Sequence, residues 1–440
     1  MVAVTRRQFH GFALGAGALT AASMLPKPSQ AAGRAKVVII GGGFAGVAVA
    51  TRLKAANASL DVTIVEPKQT YTTCVYSNLY LGGFRSFKSL THSYAAVKAR
   101  GITVVSDIAK DIDTKARTVT LGNASNPLPY DRLVVAPGID IKYDSVIGYS
   151  QAAAEIMPHA WLSGPQTWLL KKKLLTLSNG GLVVMTVPNN PYRCPPGPYE
   201  RACMIGHFLK TRKPKSKLIV FDAKSTFSKQ AVFEEAIAEY YKGIVELNLT
   251  NEIDDFAVDR VDASTGEVVT KTGRKERAAL ANIIPAQRAG AIAGRAGLMD
   301  GDWCPVNPHN FTSALIKDVY VLGDAAKSAD MPKSAFTAIS QAGVVADDIL
   351  ADISGKPRVP GTYRNTCWSM VAPENSAKIG ADYKPASKDG TPYLEPVAPF
   401  ISAPGESAQL RRDTFLESAA WYDTTMNELY GSPLPGDGGR

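Results

Sequence analysis

The sequence lacks several features that would assign it to a class at once. Outside its first 32 residues, no apolar stretch approaches the roughly 20 residues that a membrane-spanning helix needs, so we expect no integral membrane segment. It has only five cysteines and five histidines, and they form neither a cluster with metal-ligand spacing nor a Cys-X-X-Cys-His haem attachment motif. We therefore expect no metal site and no covalently bound haem on this chain.

The charge balance also excludes a class of partners. The chain has 49 Lys and Arg against 40 Asp and Glu, but the basic residues are scattered and no nucleic-acid-binding motif occurs. Nucleic acid is therefore not an expected partner. A hydrophobic content of 45% and a charged content of 20% are typical of a soluble globular protein. At 440 residues, two or three domains are expected.

Residues 1–32 have the pattern of an export signal. Arg6 and Arg7 form a twin-arginine pair, small and apolar residues follow at positions 11–19, and Ser29-Gln30-Ala31 offers a cleavage site. The alternatives are a basic N-terminal arm or a short buried helix. Because the twin-arginine route carries folded proteins, the pattern predicts a periplasmic protein that binds its cofactor before export.

The chain after this signal begins with a dinucleotide-binding motif. Residues 35–40 are typical of a buried parallel strand, and the G-X-G-X-X-G sequence that follows runs into a small-residue helix. Its glycines permit a tight turn, a close approach of the backbone to a pyrophosphate and close helix–strand packing, while the helix N-terminus favours the negative charge. The predicted binding residues are Gly41, Gly43, Phe44, Ala45 and Gly46.

An acidic residue supports this interpretation. The next predicted strand, residues 61–65, ends at Glu66, about 20 residues beyond the last glycine, where a carboxylate binds the adenosine ribose. The alternative is a glycine-rich turn with an incidental glutamate.

Two later stretches resemble those of FAD-dependent reductases with two dinucleotide-binding domains. Residues 131–138 contain Ala136 and Gly138, and resemble the strand and turn that return to the dinucleotide. Residues 319–324 end in Gly323 and Asp324, and resemble the motif whose aspartate binds the ribityl chain. A predicted helix over residues 334–350, preceded by Lys333, would direct its positive N-terminus at the flavin. This resemblance implies FAD as the cofactor.

The second domain lacks the glycines that NAD(P)H would need. The predicted strand 182–187 is followed by prolines, asparagines and Cys194, and proline has no N–H to offer a phosphate. Residues 217–222 still resemble the next strand with its terminal acid. NAD(P)H is therefore disfavoured, although the fold of the domain is expected to remain.

The predicted fold is α/β, with two Rossmann-like dinucleotide-binding domains of the FAD-dependent disulfide-reductase type and a C-terminal cap or interface domain. The boundaries are 33–143 with 279–360 for the discontinuous FAD domain, 144–278 for the second domain and 361–440 for the cap. A helix is expected near Ala408–Tyr430, and its aromatic residues either bind a partner or pack on the FAD domain.

The cysteines are Cys74, Cys194, Cys203, Cys304 and Cys367. Because five is odd, at least one is free, bound to another group or paired between chains. Cys203 and His207 are four apart on a predicted helix, which allows a metal hypothesis, but two ligands make a poor site. Core packing is the favoured interpretation for Cys203, and Cys304 has no predicted role beyond it.

Four motifs together resemble the flavin-binding subunit of flavocytochrome c sulfide dehydrogenase, a family related to the sulfide:quinone oxidoreductases. They are the glycine loop, residues 71–78, residues 194–201 (CPPGPYER) and residues 363–368. The resemblance implies a thioether from Cys74 to the flavin and a redox disulfide between Cys194 and Cys367. The alternatives are a small buried residue at Cys74 and a structural disulfide.

The same resemblance implies the activity and the partner. Hydrogen sulfide would be oxidised in the periplasm to sulfane sulfur or polysulfide, and the electrons would pass through FAD to haem c on a separate c-type cytochrome subunit. Glu200 is a candidate proton acceptor, with an ion pair to Arg201 as the alternative. Two other functions remain open, namely a membrane-associated sulfide:quinone oxidoreductase and a non-enzymatic electron-transfer or redox-sensing subunit.

Overall fold

The computed structural model describes residues 34–431, so the predicted signal sequence lies outside the described residues. Two parallel sheets and one antiparallel sheet organise this part of the chain. The N-terminal sheet has five parallel strands, in the spatial order Val319–Val321, Arg132–Val135, Lys36–Ile40, Asp61–Val65 and Thr103–Val105. Its strands are nearly continuous apolar runs because both faces are covered.

Helices pack against the N-terminal sheet. The helix Phe44–Ala56 follows the strand Lys36–Ile40 through the glycine loop. The helix Ala335–Ile353 packs against the helix Phe44–Ala56. Ser334 caps the second of these helices by accepting a hydrogen bond from the backbone N–H of Thr337. The predicted helix over 334–350 is thus confirmed and extends three residues further.

The central sheet also has four parallel strands, in the order Val245–Asn248, Lys217–Asp222, Leu182–Val187 and Leu280–Ile283. Its larger helices are Pro165–Thr176, Gly197–Arg212 and Gln230–Tyr240. The predicted return to the first domain at residue 279 is wrong, because Leu280–Ile283 pairs with Leu182–Val187. The chain crosses back where Ile139–Ile141 pairs antiparallel with Gln287–Ala289.

The C-terminal sheet follows the two parallel sheets. Its antiparallel strands are Tyr363–Ala372, Asn375–Lys388 and Thr391–Ile401, which the sequence analysis did not predict. The helix Ala408–Tyr430 has its predicted bounds, begins at the Ser407 cap and packs on the sheet. The first strand of this sheet contacts Gly197–Arg212 and Ala335–Ile353, so it joins both parallel-sheet domains.

Smaller elements complete the described chain. Two three-stranded antiparallel sheets consist of Ala109–Asp113, Thr118–Leu121 and Leu128–Pro129, and of Val258–Asp262, Glu267–Thr270 and Lys275–Arg277. Two-stranded pairs join Thr70–Thr72 to Thr91–Ser93 and Cys304–Pro305 to Ala326–Lys327. Short helices span Ser77–Gly82, Ala95–Ala99, Gln151–Ile156 and Ala291–Arg295.

Candidate active site

The glycine loop has the geometry that its sequence predicts. Gly41 adopts φ of 104°, and a Cβ there would lie 2.2 Å from the carbonyl oxygen of Ala136. A Cβ at Gly46 would lie 2.0 Å from the carbonyl oxygen of Gly41, so this glycine permits the helix to pack against the loop. At Gly138 a Cβ would meet no atom within 4 Å, which leaves open space beside the loop.

Glu66 and two tyrosines hold the middle of the loop. Glu66 Oε2 accepts a hydrogen bond of 2.9 Å from the N–H of Gly42. The hydroxyls of Tyr94 and Tyr430 both donate to the carbonyl of Gly42, at 3.0 Å and 2.9 Å. Tyr430 also stacks on Tyr71 with ring centroids 5.1 Å apart. The end of the C-terminal helix is thus fixed against the dinucleotide loop.

One cavity of about 610 Å³ extends from this loop to the sulfur-bearing segments. Such a volume is within the range of small-molecule and cofactor sites. Most of the predicted site residues line it: Gly41, Gly43, Phe44, Ala45, Glu66, Cys74, Ala136, Gly138, Cys194, Glu200, Gly323, Asp324 and Cys367. The structure therefore brings the glycine loop and three cysteines to one space.

Lys333 and Gly46 do not line this cavity. Gly46 acts through helix packing, as described above. Lys333 folds away from the cavity, where its Nζ donates to the carbonyl of Ala326 at 2.6 Å and lies 3.8 Å from the ring centroid of Trp303. The cofactor-binding role of Lys333 therefore stays a prediction. Its backbone carbonyl accepts a hydrogen bond from the N–H of Cys194 at 2.8 Å.

Cys194 is held in an unusual backbone conformation. Its φ of 58° lies in the left-handed region, which few non-glycine residues adopt. Its carbonyl accepts a hydrogen bond from the N–H of Gly197, and a Cβ at position 197 would lie 3.0 Å from Cys194 Sγ. The local turn therefore fixes the direction of the sulfur.

Cys367 lies on the strand Tyr363–Ala372 and is 8% exposed. The amide of Asn365 lies 3.5 Å from its Sγ. Burial raises the pKa of Cys194 and of Cys367.

Glu200 hydrogen-bonds to both the helix Ser77–Gly82 and the strand Tyr363–Ala372. Its Oε2 accepts from Asn78 Nδ2 at 2.8 Å, and its Oε1 accepts from the N–H of Met370 at 2.9 Å. Arg201 Nε donates to Asn78 Oδ1 at 3.0 Å, so Asn78 stands between the carboxylate and the guanidinium that the sequence analysis considered as an ion pair. Burial raises the pKa of Glu200, and these hydrogen bonds oppose the rise.

Cys74 lies on the loop between Thr70–Thr72 and Ser77–Gly82 and faces the cavity. Burial raises the pKa of its thiol, and the positive charge of Arg193 opposes this. Burial also raises the pKa of Asp324, which Arg193 and Lys333 oppose. The positive charge of Arg193 thus favours the ionised forms of both Cys74 and Asp324.

Several lining residues were not predicted, and three of them are charged or aromatic groups near the cysteines. Arg193, Arg201 and Trp161 all line the cavity, and the Arg201 guanidinium lies 4.7 Å from the Trp161 ring centroid. The Trp161 indole Nε1 is buried without a hydrogen-bond partner in the described structure. The position of Arg193 beside Cys194 and the place of Arg201 in the 194–201 motif were available signals, whereas Trp161 belongs to no motif.

The acid that ends a strand of the central sheet is bonded to neighbouring side chains. Asp222, the terminal acid of its strand, forms a buried ion pair with Lys224 at 2.5 Å and accepts from the Tyr199 hydroxyl. Tyr199 stacks on Phe227 with centroids 3.4 Å apart. The acid is therefore occupied by protein side chains, which agrees with the missing glycines.

Cys203 and Cys304 are fully buried in the hydrophobic core, which confirms the core-packing interpretation. Within residues 34–431, no group of three or more His, Cys, Asp or Glu side chains is placed to hold a metal ion. None of the helices in that range is both long enough and apolar enough to cross a membrane.

Three family models match the chain. Residues 167–285 match the central part of the sulfide dehydrogenase [flavocytochrome c] flavoprotein chain, residues 359–430 match the flavin-binding part of flavocytochrome c sulphide dehydrogenase, and residues 35–155 match pyridine nucleotide-disulphide oxidoreductases.

The chain is also similar to individual proteins of the flavocytochrome c sulfide dehydrogenases and of the sulfide:quinone oxidoreductases. The chain is 46% identical over 46 residues to the sulfide dehydrogenase [flavocytochrome c] flavoprotein chain of Chlorobaculum thiosulfatiphilum, which covers 10% of this chain and 96% of that one. It is 22% identical over 319 residues to the mitochondrial sulfide:quinone oxidoreductase of Mus musculus, with 70% and 69% covered. The solved structure of the Aquifex aeolicus sulfide:quinone oxidoreductase matches with a TM-score of 0.71 at 20% identity, covering 91% and 93%. The predicted α/β reductase fold is therefore confirmed.

Proposed function

Because the chain belongs to the flavocytochrome c sulfide dehydrogenase flavoproteins, a family related to the sulfide:quinone oxidoreductases, we propose that it oxidises hydrogen sulfide through FAD and a redox-active Cys194–Cys367 pair. The observation that carries the proposal is the position of the two cysteines. Although they lie in different domains, they line one cavity with the dinucleotide loop.

The cavity suits a flavin dinucleotide on its own geometry. Beside Gly138 there is open space for a ligand, and Glu66 stands at the loop where a ribose would lie. The helix Ala335–Ile353 presents Ser334 and Ala335 to the cavity, so its positive end suits an electron-rich flavin edge. Trp161 and Trp368 both line the cavity with unpartnered indole N–H groups. Cys74 is the residue that we propose to attach the flavin covalently.

The sulfur chemistry follows from the two cysteines in their disulfide form. Hydrosulfide attacks one sulfur, the S–S bond breaks, and its electron pair stays on the other cysteine as a thiolate. The attacked cysteine becomes a persulfide, from which a second hydrosulfide removes the sulfane sulfur as a disulfide anion. Bound FAD supplies the two-electron acceptor that restores the disulfide and the one-electron donor that a haem needs.

We propose that the electrons leave to a c-type cytochrome subunit and that the protein acts in the periplasm after twin-arginine export. The family name supports the first proposal, and the Arg6-Arg7 signal pattern supports the second. A sulfide:quinone oxidoreductase is the second candidate, favoured by the likeness to the Mus musculus enzyme. Reduction of a quinone analogue in place of cytochrome c would identify that function.

The experiment is anaerobic addition of sulfide to the purified holoprotein while the flavin absorption band is recorded. We expect rapid bleaching, followed by reoxidation with cytochrome c and not with NAD⁺. Cys194→Ser and Cys367→Ser should each slow bleaching at least about a hundredfold, since both sulfurs are needed for the exchange. Cys304→Ala, at a cysteine outside the cavity lining, is the matched control. An unchanged flavin spectrum in the wild-type protein would refute sulfide as the substrate and favour a non-enzymatic subunit.

A further inference from the structure

Lys229 is a buried ammonium without a carboxylate partner. Its side chain is 2% exposed, and its Nζ donates to Ser369 Oγ at 2.8 Å and to the carbonyl oxygens of Cys367 at 3.1 Å and Ala377 at 3.5 Å. Elsewhere in the described structure, the buried Lys224 forms an ion pair with Asp222, but Lys229 forms none. A buried charge without a counter-ion is costly. A neighbouring group that becomes negative would therefore stabilise the ammonium of Lys229.

The neighbouring sulfur is such a group. Asn365, Cys367 and Ser369 are two apart on one strand, so their side chains lie on the same face. Lys229 bonds to the last of these three, and the amide of Asn365 lies 3.5 Å from the Cys367 sulfur. The face that carries Cys367 is therefore the face that Lys229 approaches.

The surroundings of Cys194 favour a thiolate less: the charge of Arg193 opposes the rise in its pKa, but burial, Cys367, Glu200 and Cys74 raise it more strongly. Cys194 precedes the helix Gly197–Arg212, whose N-terminus would ordinarily offer free N–H groups to a thiolate. Pro195, Pro196 and Pro198 have no N–H, and the N–H of Gly197 is already bonded to the Cys194 carbonyl. The two sulfurs thus lie in unequal surroundings.

We propose that Lys229 is a positioning residue whose ammonium is the counter-ion of the Cys367 thiolate that forms when the Cys194–Cys367 disulfide opens. This inference rests on the proposed function and deepens it. Hydrosulfide forms a new S–S bond to Cys194, the old S–S bond breaks, and its electron pair remains on Cys367. The proton of hydrosulfide stays on the terminal sulfur of the persulfide, so charge and atoms balance.

The other charged groups agree with this assignment. Burial raises the pKa of Cys367, and the charge of Glu200 adds to this rise. The charge of Lys229 lowers this pKa most, and hydrogen bonds with Asn365 and Ser334 lower it further. Burial lowers the pKa of Lys229 to about 8, while Cys367, Glu200 and Cys194 raise it and Arg411 lowers it. A thiolate at Cys367 and an ammonium at Lys229 therefore stabilise each other.

The test measures the thiols directly. The holoprotein is reduced anaerobically with a phosphine, treated with iodoacetamide at a series of pH values, and digested, so that alkylation of each cysteine is followed by mass spectrometry. In Lys229→Gln, which keeps a donor but loses the charge, the midpoint for Cys367 should rise by at least about one pH unit. At pH values below both midpoints, Cys367 should therefore be alkylated about ten times more slowly in Lys229→Gln than in the wild type. At high pH, the two proteins should react at equal rates.

The controls separate charge from packing. Lys229→Arg keeps the charge and should keep the wild-type midpoint. Lys171→Met removes another partly buried lysine, whose Nζ donates to the carbonyl of Leu81, and should change nothing at Cys367. The wild-type protein alone gives a further test, because Cys367 should titrate below Cys194.

Two results would overturn the inference, and both differ from failure of the proposed function. They are an unchanged Cys367 midpoint in Lys229→Gln, or a wild-type protein in which Cys194 titrates first. If the oxidised wild-type protein instead yields no Cys194–Cys367 peptide under non-reducing conditions, then the disulfide chemistry itself is refuted and the role of Lys229 is refuted with it.

Discussion

Gly197 leaves the space that the sulfur of Cys194 occupies. A Cβ at Gly197 would lie 3.0 Å from Cys194 Sγ and 3.0 Å from Trp161 Cη2, so both neighbours would have to move. Because Cys194 is already held with a positive φ, its sulfur has little freedom to adjust. The absence of a side chain at Gly197 is thus one of the conditions that set the geometry of the sulfur pair.

Gly197→Ala should therefore slow sulfide-driven flavin bleaching by at least about tenfold, because overpacking costs about 1–3 kcal/mol and a displaced reacting group loses rate steeply. Stopped-flow absorbance measures the rate, and the flavin content should remain that of the wild type. Gly343→Ala is the control, since its Cβ would meet only the guanidinium of Arg52, at 3.5 Å or more. Equal rates in Gly197→Ala and the wild type would show that the sulfur position does not depend on this glycine.

The two tyrosines on the Gly42 carbonyl should behave non-additively. Tyr430→Phe and Tyr94→Phe each remove one hydrogen bond and should lower the free energy of unfolding by about 1 kcal/mol. The double variant removes both donors from a carbonyl next to buried side chains, so it should lose about 1 kcal/mol more than the sum. Urea unfolding followed by flavin fluorescence measures all four proteins. Additivity within about 0.3 kcal/mol would contradict this coupling.

Low pH should destabilise the protein through His159. Its Nδ1 accepts from the N–H of Trp161 at 2.9 Å, and burial, with the positive charges of Arg201 and Arg193, lowers its pKa to about 3. In the unfolded chain a histidine binds a proton below about pH 6.5. The stability that the neutral histidine contributes is therefore complete above about pH 6.5 and is lost as the pH falls towards 3.

Urea unfolding at pH 7.5 and pH 4.5 tests this. His159→Asn keeps an acceptor but cannot be protonated, so its loss of stability between the two pH values should be smaller than that of the wild type by on the order of 2 kcal/mol. His309→Asn, at an exposed histidine, should leave the difference unchanged. A part of the loss should remain in every variant, because burial also lowers the pKa of His92. Identical losses in His159→Asn and the wild type would refute the assignment.

Removal of Cys74 should free the flavin. In the wild type we expect the colour to stay with the acid-precipitated protein, whereas in Cys74→Ala it should move to the supernatant, because no thioether forms. Absorbance of the supernatant at the flavin band is the measurement, and Cys203→Ala, at a core cysteine, is the control. Flavin that extracts equally from the wild-type protein would refute a covalent link while leaving the dinucleotide site intact.

Local patterns predicted the local structure well. The strand–glycine–helix unit at Lys36–Ala56 depends on apolar runs and glycines that are adjacent in the sequence, and the helix Ala408–Tyr430 follows a serine cap and contains neither proline nor glycine. Both were predicted with nearly their observed bounds. The glycine loop, Glu66 and three cysteines (Cys74, Cys194 and Cys367) line one cavity, and each could be predicted because it belongs to a motif.

Long-range pairing accounts for the errors. The strand Leu280–Ile283 is apolar in either sheet, so only its pairing with Leu182–Val187 shows that the domain boundary at 279 is misplaced. No sequence pattern marks Lys229 as a site residue, because Cys367, whose carbonyl it contacts, lies 138 positions later in the chain.

The C-terminal segment supplies one sulfur of the proposed pair and one hydrogen bond to the dinucleotide loop. A nascent chain that ends before Tyr363 already has the dinucleotide loop, Cys74 and Cys194, but it has neither Cys367 nor the Tyr430 hydroxyl that holds the loop. Such an unfinished chain has no second sulfur to pair with the first. Under the proposed chemistry, a protein clipped before Tyr363 is therefore inert towards sulfide, even though its dinucleotide loop is complete.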